Sequence, residues 1–148
     1  MKTLIICKSV TNHKNTEKVA KAMAEVMGAK LVQPEEVDIA SLANYDLIGF
    51  GSGIYAHNHH KTIRALVDNI PANNRNAFVF STSQFAGGWW GGHKGVHLVD
   101  KLKTKGWNVK GTFWCGGETR GLFKTRCIGR PDAKDLEDAR KFAKSLMN

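Results

Sequence analysis

Ser9-Val10-Thr11-Asn12-His13-Lys14-Asn15-Thr16 is the stretch on which the reading of this chain turns. It follows Leu4-Ile5-Ile6, an apolar run that reads as a buried strand, and it precedes a segment with helical periodicity that begins at Glu17. Small hydroxyl and amide side chains between a strand and a helix make an anion cradle. Free backbone N–H groups and the positive end of the helix dipole converge there on one point. No carboxylate interrupts the loop and Lys14 adds positive charge, so a phosphate suits it. Ser, Thr and Asn also cap helices in the ordinary way, and the loop alone does not separate the two readings.

Outward from this loop, strand and helix alternate along the chain. Residues 3–8 read as strand one and 29–33 as a short strand closed by Pro34. Between them, 15–28 reads as a helix presenting Val19, Met23, Val26 and Met27 and stopped by Gly28. A short helical piece at 39–42 leads to strand three at 46–50. Residues 60–70 place Ile63, Leu66, Val67 and Ile70 at i, i+3, i+4 and i+7, and strand four follows at 77–81. A helix at 93–105 is expected to turn Val96, Val99 and Leu102 inward. Strand five, 107–115, alternates Val109, Gly111 and Phe113 against Asn108, Lys110 and Thr112, as an edge strand does. The last helix offers Leu136, Ala139, Phe142, Ala143 and Leu146. Such alternation favours a parallel sheet covered on both faces. Strands one, three and four are continuous apolar runs, as burial on both sides requires.

A chain of 148 residues suits one domain with one sizeable core. The formal net charge of +9 admits nucleic acid, acidic proteins, anionic membranes or phosphorylated ligands as partners. The lysines are scattered, with no arginine-rich tract and no base-stacking motif, which argues against nucleic acid. No apolar stretch is long enough to span a bilayer. The N-terminus runs straight into a strand without a signal peptide, and a cytoplasmic location is expected. Cys7, Cys115 and Cys127 form neither a disulfide framework nor a CxxC pair.

Ligands of such sheets bind beyond the carboxyl ends of the strands, where the strand order reverses. The loops after strands one, three and four should therefore converge. The second runs Gly51-Ser52-Gly53-Ile54-Tyr55-Ala56-His57-Asn58-His59-His60; the third spans 81–93 and holds Phe85, Trp89 and Trp90. None of the three contains an acidic residue. Glycine lets backbone approach a ligand closely, and Tyr55, Phe85, Trp89 and Trp90 offer flat faces. A phosphate subsite beside an aromatic one describes a phosphorylated heterocycle such as FMN.

On these residues the whole chain resembles the short-chain flavodoxin-like FMN proteins. Ser9, Thr11, Asn15 and Thr16 resemble the family's hydroxyl-rich phosphate loop, which ends in Asn-Thr at the helix start. Gly51-Ser52-Gly53-Ile54-Tyr55 and Ser81-Thr82-Ser83 resemble the flavin-flanking loops of the subgroup that includes the flavodoxin-type protoporphyrinogen oxidases. The resemblance implies a flavodoxin-like three-layer sandwich over residues 1–148, as one domain. Its five-stranded parallel sheet would run in the order 2-1-3-4-5 with helices on both faces. It also implies noncovalent FMN. Ser9, Thr11, Asn12, Asn15 and Thr16 would hold the phosphate. Residues Ser52, Gly53, Ile54 and Tyr55, with Thr82, Ser83, Gln84 and Phe85, would hold the flavin, and Tyr55 and Trp89 or Trp90 would supply ring faces.

Three features depart from the family pattern. The first loop lacks the Thr-Gly-Asn-Thr ending and carries one extra residue. The second lacks the Trp-Gly-Asp of electron-transfer flavodoxins; Ala56, His57 and Asn58 stand there, and only Asn58 tolerates positive φ cheaply. The charge is basic where flavodoxins are acidic. His57, His59, His60, Lys61, His93 and Lys94 are expected at the rim, where one positive charge about 8 Å from a flavin contributes roughly 2 kcal/mol. On the order of 90 mV less negative is the corresponding potential for one electron.

The function these residues imply is electron transfer through bound FMN between redox partner proteins with acidic surfaces. An FMN enzyme acting on a small quinone-like or porphyrin-like acceptor, and a flavin-free binding module of the same fold, are the alternatives. The lack of a nicotinamide GxGxxG fingerprint favours the carrier. The histidines at 57, 59 and 60 read as exposed loop residues rather than a metal site, since no Cys or carboxylate completes a ligand set. Position 13 is His where a Cys-x5-Arg phosphatase loop needs Arg, so Cys7 reads as a core residue.

Overall fold

The computed structural model describes residues 1–84, 95–120 and 125–148. Its strands are β1 (Thr3–Lys8), β2 (Lys30–Val32), β3 (Leu47–Tyr55), β4 (Asn58–His59), β5 (Asn76–Ser83), β6 (Asn108–Gly116), β7 (Thr119–Arg120) and β8 (Thr125–Arg126). Its α-helices are α1 (Asn15–Met27), α2 (Lys61–Asn69), α3 (Val96–Thr104) and α4 (Ala133–Ser145). Two 3-10 turns, Pro34–Glu36 and Ile39–Asn44, lead into β3. The main sheet runs β2-β1-β3-β5-β6, all parallel, with β4 returning antiparallel on β3. Counted by its five parallel strands, this is the expected 2-1-3-4-5 order.

Alternate residues of the central strands feed two cores. Ile6, Ile48, Phe50 and Val79 pack under α2 and α3 with Ile63, Val67, Leu98, Leu102 and Trp107. Ile5, Leu47, Phe78 and Phe80 pack on the opposite face with Val19 and Met23 of α1 and Ala139 and Ala143 of α4. Both faces of β1, β3 and β5 are dry, which is why their sequences show no polar alternation. The strongly apolar middle of the chain thereby fixes the carboxyl edge of the sheet, where β1, β3 and β5 end side by side.

Four expectations change. Strand three does not stop at residue 50: Gly51 and Ser52 pair with Cys7 and Lys8, and Gly51 to Gly53 pair with Phe80 to Thr82. Backbone hydrogen bonds on both sides hold the Gly-Ser-Gly run in the sheet. Strand five is an edge strand with Val109, Gly111 and Phe113 less exposed than Asn108, Lys110 and Thr112, as expected, but Val109 and Phe113 serve opposite faces. The register shifts at Ala77/Phe78, where Val109 and Gly111 are successive partners and Lys110 is passed over. The extra residue switches the phase: Val109 packs under α2 and α3, while Phe113 packs with α1 and α4 and Gly111 lies against Phe142. On α3 the inward positions are Leu98 and Leu102, with Val99 partly buried, and Val96 at the first turn is 41% exposed. Finally, His59 is buried. As a β4 residue it points inward, opposite its neighbour Asn58.

Candidate functional site

The cradle loop leaves β1 at Lys8 and turns through a Lys14 N–H to Thr11 O bond of 3.0 Å. Lys14 takes the left-handed backbone (φ 48°, ψ 41°) as the N-cap of α1, and its side chain makes no capping bond. This conformation favours glycine, and Lys14 stands where the family's Thr-Gly-Asn-Thr has its glycine. Ordinary side-chain capping of α1 by this loop is thus not what the structure has. The first N–H groups of the helix are left to an acceptor from outside the helix, at the end where the dipole draws negative charge.

Three segments lock around that helix start. Asn15 Nδ2 donates to Glu118 O at 2.8 Å, and the Thr16 and Thr82 hydroxyls meet at 2.8 Å. Gly117 N–H donates to Ser83 O at 3.0 Å. Gly117 lies so close that an added Cβ would stand 3.0 Å from Asn15 Nδ2 and 3.2 Å from Thr82 Cβ. They enclose a cavity of about 310 Å³, within the range of small-molecule sites. Ser9, Thr11, Asn15 and Thr16 line it from the first loop, Gly53, Ile54 and Tyr55 from β3, and Thr82, Ser83 and Gln84 from the end of β5. Ala56, Gly117 and Thr119 complete it. Among the described residues, none of those lining it is charged. Glu118 contributes only its carbonyl; its carboxylate turns to Gly129 N–H and Arg120, which hold its pKa below the usual range.

Two expected site residues stand elsewhere. Ser52 is fully buried and serves the hairpin, accepting His60 N–H at 2.8 Å and donating to Gly53 O. Asn12 lines a separate hollow on the outer side of α1 with His13, Lys14 and Lys18. Phe85 and Trp89 lie outside the described residues, as do Trp90, His93 and Lys94. The segment at 117–119 was missed because its residues carry no aromatic or hydroxyl cluster. Its signal was positional: it follows the fifth parallel strand, at the same edge of the sheet.

The side chains are tuned for neutral, polar contact. Asn15 is 5% exposed, its Nδ2 is committed to Glu118 O, and its Oδ1 has no partner among the described residues. Tyr55 meets His60 edge-on at 5.6 Å between centroids, and its phenol lies over Gly53, where a Cβ would come within 2.9 Å of Oη. His59 sits behind β3 with Nε2–H donating to Phe80 O at 3.0 Å, and burial pushes its pKa down to about 4. It therefore adds no charge to the rim. Among the described residues no group of three or more His, Cys, Asp or Glu gathers to hold a metal. Burial lifts the Cys7 thiol to about 12, which removes it as a nucleophile. Hydroxyls and uncommitted backbone amides at a helix start, with a wall that carries no acid among the described residues beside a tyrosine, fit the phosphate and ring of FMN.

The hairpin at the cavity edge is strained. Ala56 and His57, the central residues of the two-residue turn between β3 and β4, have φ of 47° and 65°. Turns of this kind favour Asn-Gly, and the left-handed backbone costs other residues roughly 1 kcal/mol each. The positive φ falls on these two residues and not on Asn58. Ala56→Asn with His57→Gly is expected to raise the unfolding free energy by about 1 kcal/mol. Urea denaturation measures it, and a lower midpoint would contradict the strain.

A family model for the flavodoxin domain matches residues 4–121. An uncharacterized protein of Methanocaldococcus jannaschii is 44% identical over 151 residues, covering 99% of both chains. Oxidised flavodoxin 2 from Bacillus cereus superposes with a TM-score of 0.73 at 19% identity, covering 99% of this chain and 98% of its own. A flavodoxin from the domain Archaea gives 0.72 at 14% identity, covering 99% and 96%. Rubredoxin oxygen:oxidoreductase from Desulfovibrio gigas gives 0.73 at 17% identity over 98% of this chain and 35% of that one.

Proposed function

The chain belongs to the flavodoxin-domain family, and from that premise we propose that it binds FMN and carries electrons between redox partner proteins, residues 1–148 acting as one domain. The observation that carries the reading is the cavity at the uncapped start of α1, whose lining carries no acid among the described residues. When bound, FMN supplies one- and two-electron redox chemistry at its ring. The chain's part is to bind and orient. The first N–H groups of α1, with Ser9, Thr11 and Thr16, take the phosphate. Asn15 ties the helix start to the 117–119 segment through Nδ2 and Glu118 O, which holds the cavity wall in place. The backbone of 53–55 and 82–84 flanks the ring, with Tyr55 against one side.

The test starts from the protein purified without added cofactor and its visible spectrum before and after FMN addition and desalting. Retained flavin absorption is expected; a colourless protein that takes up no FMN overturns the reading. Asn15→Asp then puts a carboxylate into the acid-free wall. FMN affinity should fall roughly a hundredfold, as two to three kcal/mol of lost hydrogen bonding and added repulsion imply. Riboflavin, lacking the phosphate, should lose much less. Equal losses for both ligands would remove the phosphate from the start of α1.

A further inference from the structure

We propose that the exposed lysine stripe at the start of α1 is the docking surface for an acidic partner protein; the proposal rests on the electron-carrier reading for the partner's purpose. Lys14, Lys18 and Lys21 fall at i, i+4 and i+7, and all three are exposed. They line a hollow with Asn12, His13 and Glu17. Glu17 is the one acid there, already engaged by Lys21 at 2.7 Å and by Lys14 at 3.9 Å. The hollow keeps a positive excess.

The placement works against the helix that carries it. Cations belong near a helix C-terminus and anions near its N-terminus, and Lys14–Lys18 and Lys18–Lys21 are like-charge neighbours that cost a few tenths of a kcal/mol each. Both helices have an acid in the first turn, Glu17 in α1 and Asp135 in α4, but α1 places lysines along its first half and no basic residue in its last turn, where α4 has Lys144. The Glu17 pairs account locally for Lys14 and Lys21; Lys18 has no acid partner among the described residues, and attraction of an external anion accounts for it. Asn15 and Thr16, from the same turn, line the cavity. A partner seated on the stripe thus stands about one helix diameter, ~10 Å, from the cavity.

The chemistry selects the partner. Among the described residues the hollow has no arginine fork and no Phe, Tyr or Trp on which bases stack, so it lacks the usual means of reading nucleic acid. It has no large apolar side chain to enter a lipid surface. Flexible ammonium groups over a shallow polar surface suit scattered carboxylates on a protein, where complementarity acts on encounter and salt dependence.

The full chain, labelled with ¹⁵N and used as purified, is titrated with a small acidic iron–sulfur protein, a plant-type ferredoxin. Amide shifts are expected across residues 12–21. The affinity should drop about tenfold or more on raising salt from about 0.05 M to about 0.3 M. Lys18→Glu with Lys21→Gln should weaken binding by a similar factor and leave FMN affinity unchanged; an acid at position 18 suits the helix, so the fold is kept. Shifts elsewhere, or binding indifferent to the double substitution, overturn the proposal. So does equal binding of basic cytochrome c. Duplex DNA moving the same amides at lower concentration would give the patch to nucleic acid and overturn it likewise. Docking that persists in a chain unable to hold FMN leaves the surface standing and removes the electron-carrier reading alone.

Discussion

Gly51→Ala is expected to destabilise the protein by about 3 kcal/mol or more, at the upper end for an overpacked core. The position lies in the centre of β3, where β1 and β5 pair on either side. A Cβ built there would stand 2.2 Å from Cε2 and Cζ of Phe80. Phe80 cannot swing away: it is fully buried and stacks on Phe78 at 6.0 Å between centroids, and Phe78 meets Phe142 of α4 at 6.0 Å. Gly49 stands in the same relation to Phe78. The two glycines therefore admit two rings under α1 and α4, and neither lines the cavity. A double-mutant cycle separates this from a general dislike of alanine in the strand. In a Phe80→Leu background Gly51→Ala should cost less than half as much, because the smaller side chain vacates the space. Urea denaturation of the four proteins gives the answer. A cost below about 1 kcal/mol, or the same cost in both backgrounds, would show that the backbone yields where the packing says it cannot.

The same two glycines mark how far the sequence could be read. Their spacing was visible, but glycine signals close approach without naming what approaches, and the rings come from another strand. Periodicity did better where packing is local. Ile63, Leu66, Val67 and Ile70 are all buried, as their spacing in the α2 region requires. The apolar runs at 4–6, 47–50 and 77–80 lie in the strands buried on both faces. What escaped was non-local. The passed-over Lys110 depends on β5's partner register, and no alternation within β6 displays it. At the site, Ser9, Thr11, Asn15 and Thr16 could be placed together because they lie between a strand and a helix at the carboxyl edge of the sheet. The uncapped helix start was not visible in the sequence, since the loop contains Ser, Thr and Asn, all of which cap helices. The 57–60 histidines looked uniformly exposed because they are uniformly polar; pairing of β4 on β3 decides which one turns inward.

That inward histidine carries the second large effect. His59 has a folded pKa of about 4 because burial disfavours the imidazolium, while an unfolded histidine titrates near 6.5. Between these values the unfolded chain binds a proton that the folded chain refuses, so unfolding free energy rises with pH across the interval. The contribution is whole above about pH 6.5 and is lost as the pH falls toward about 4, amounting to about 3 kcal/mol. Among the described residues no anion faces it: Nε2–H faces the Phe80 carbonyl and the ring lies against Gly95, while Arg64 donates to the backbone oxygen of His59. His60 adds a smaller effect of the same sign. Its partial burial, with Lys8 and Lys61 nearby, lowers its pKa, and as the N-cap of α2 its Nδ1 must stay unprotonated to accept from Thr62 N–H. Carboxylates held low, such as Asp135 against Arg130, begin to contribute only as pH drops into the range where unfolded carboxyls protonate, near 4. The window from about pH 5 to 6.5 therefore belongs to the histidines. His59→Gln keeps an amide donor for Phe80 O and removes the titration. The wild-type chain should lose stability steeply across this window, and the variant should lose little more than His60 accounts for. Parallel curves for the two proteins would mean that water reaches the imidazolium, and that β4 opens over His59 at a cost smaller than its burial implies.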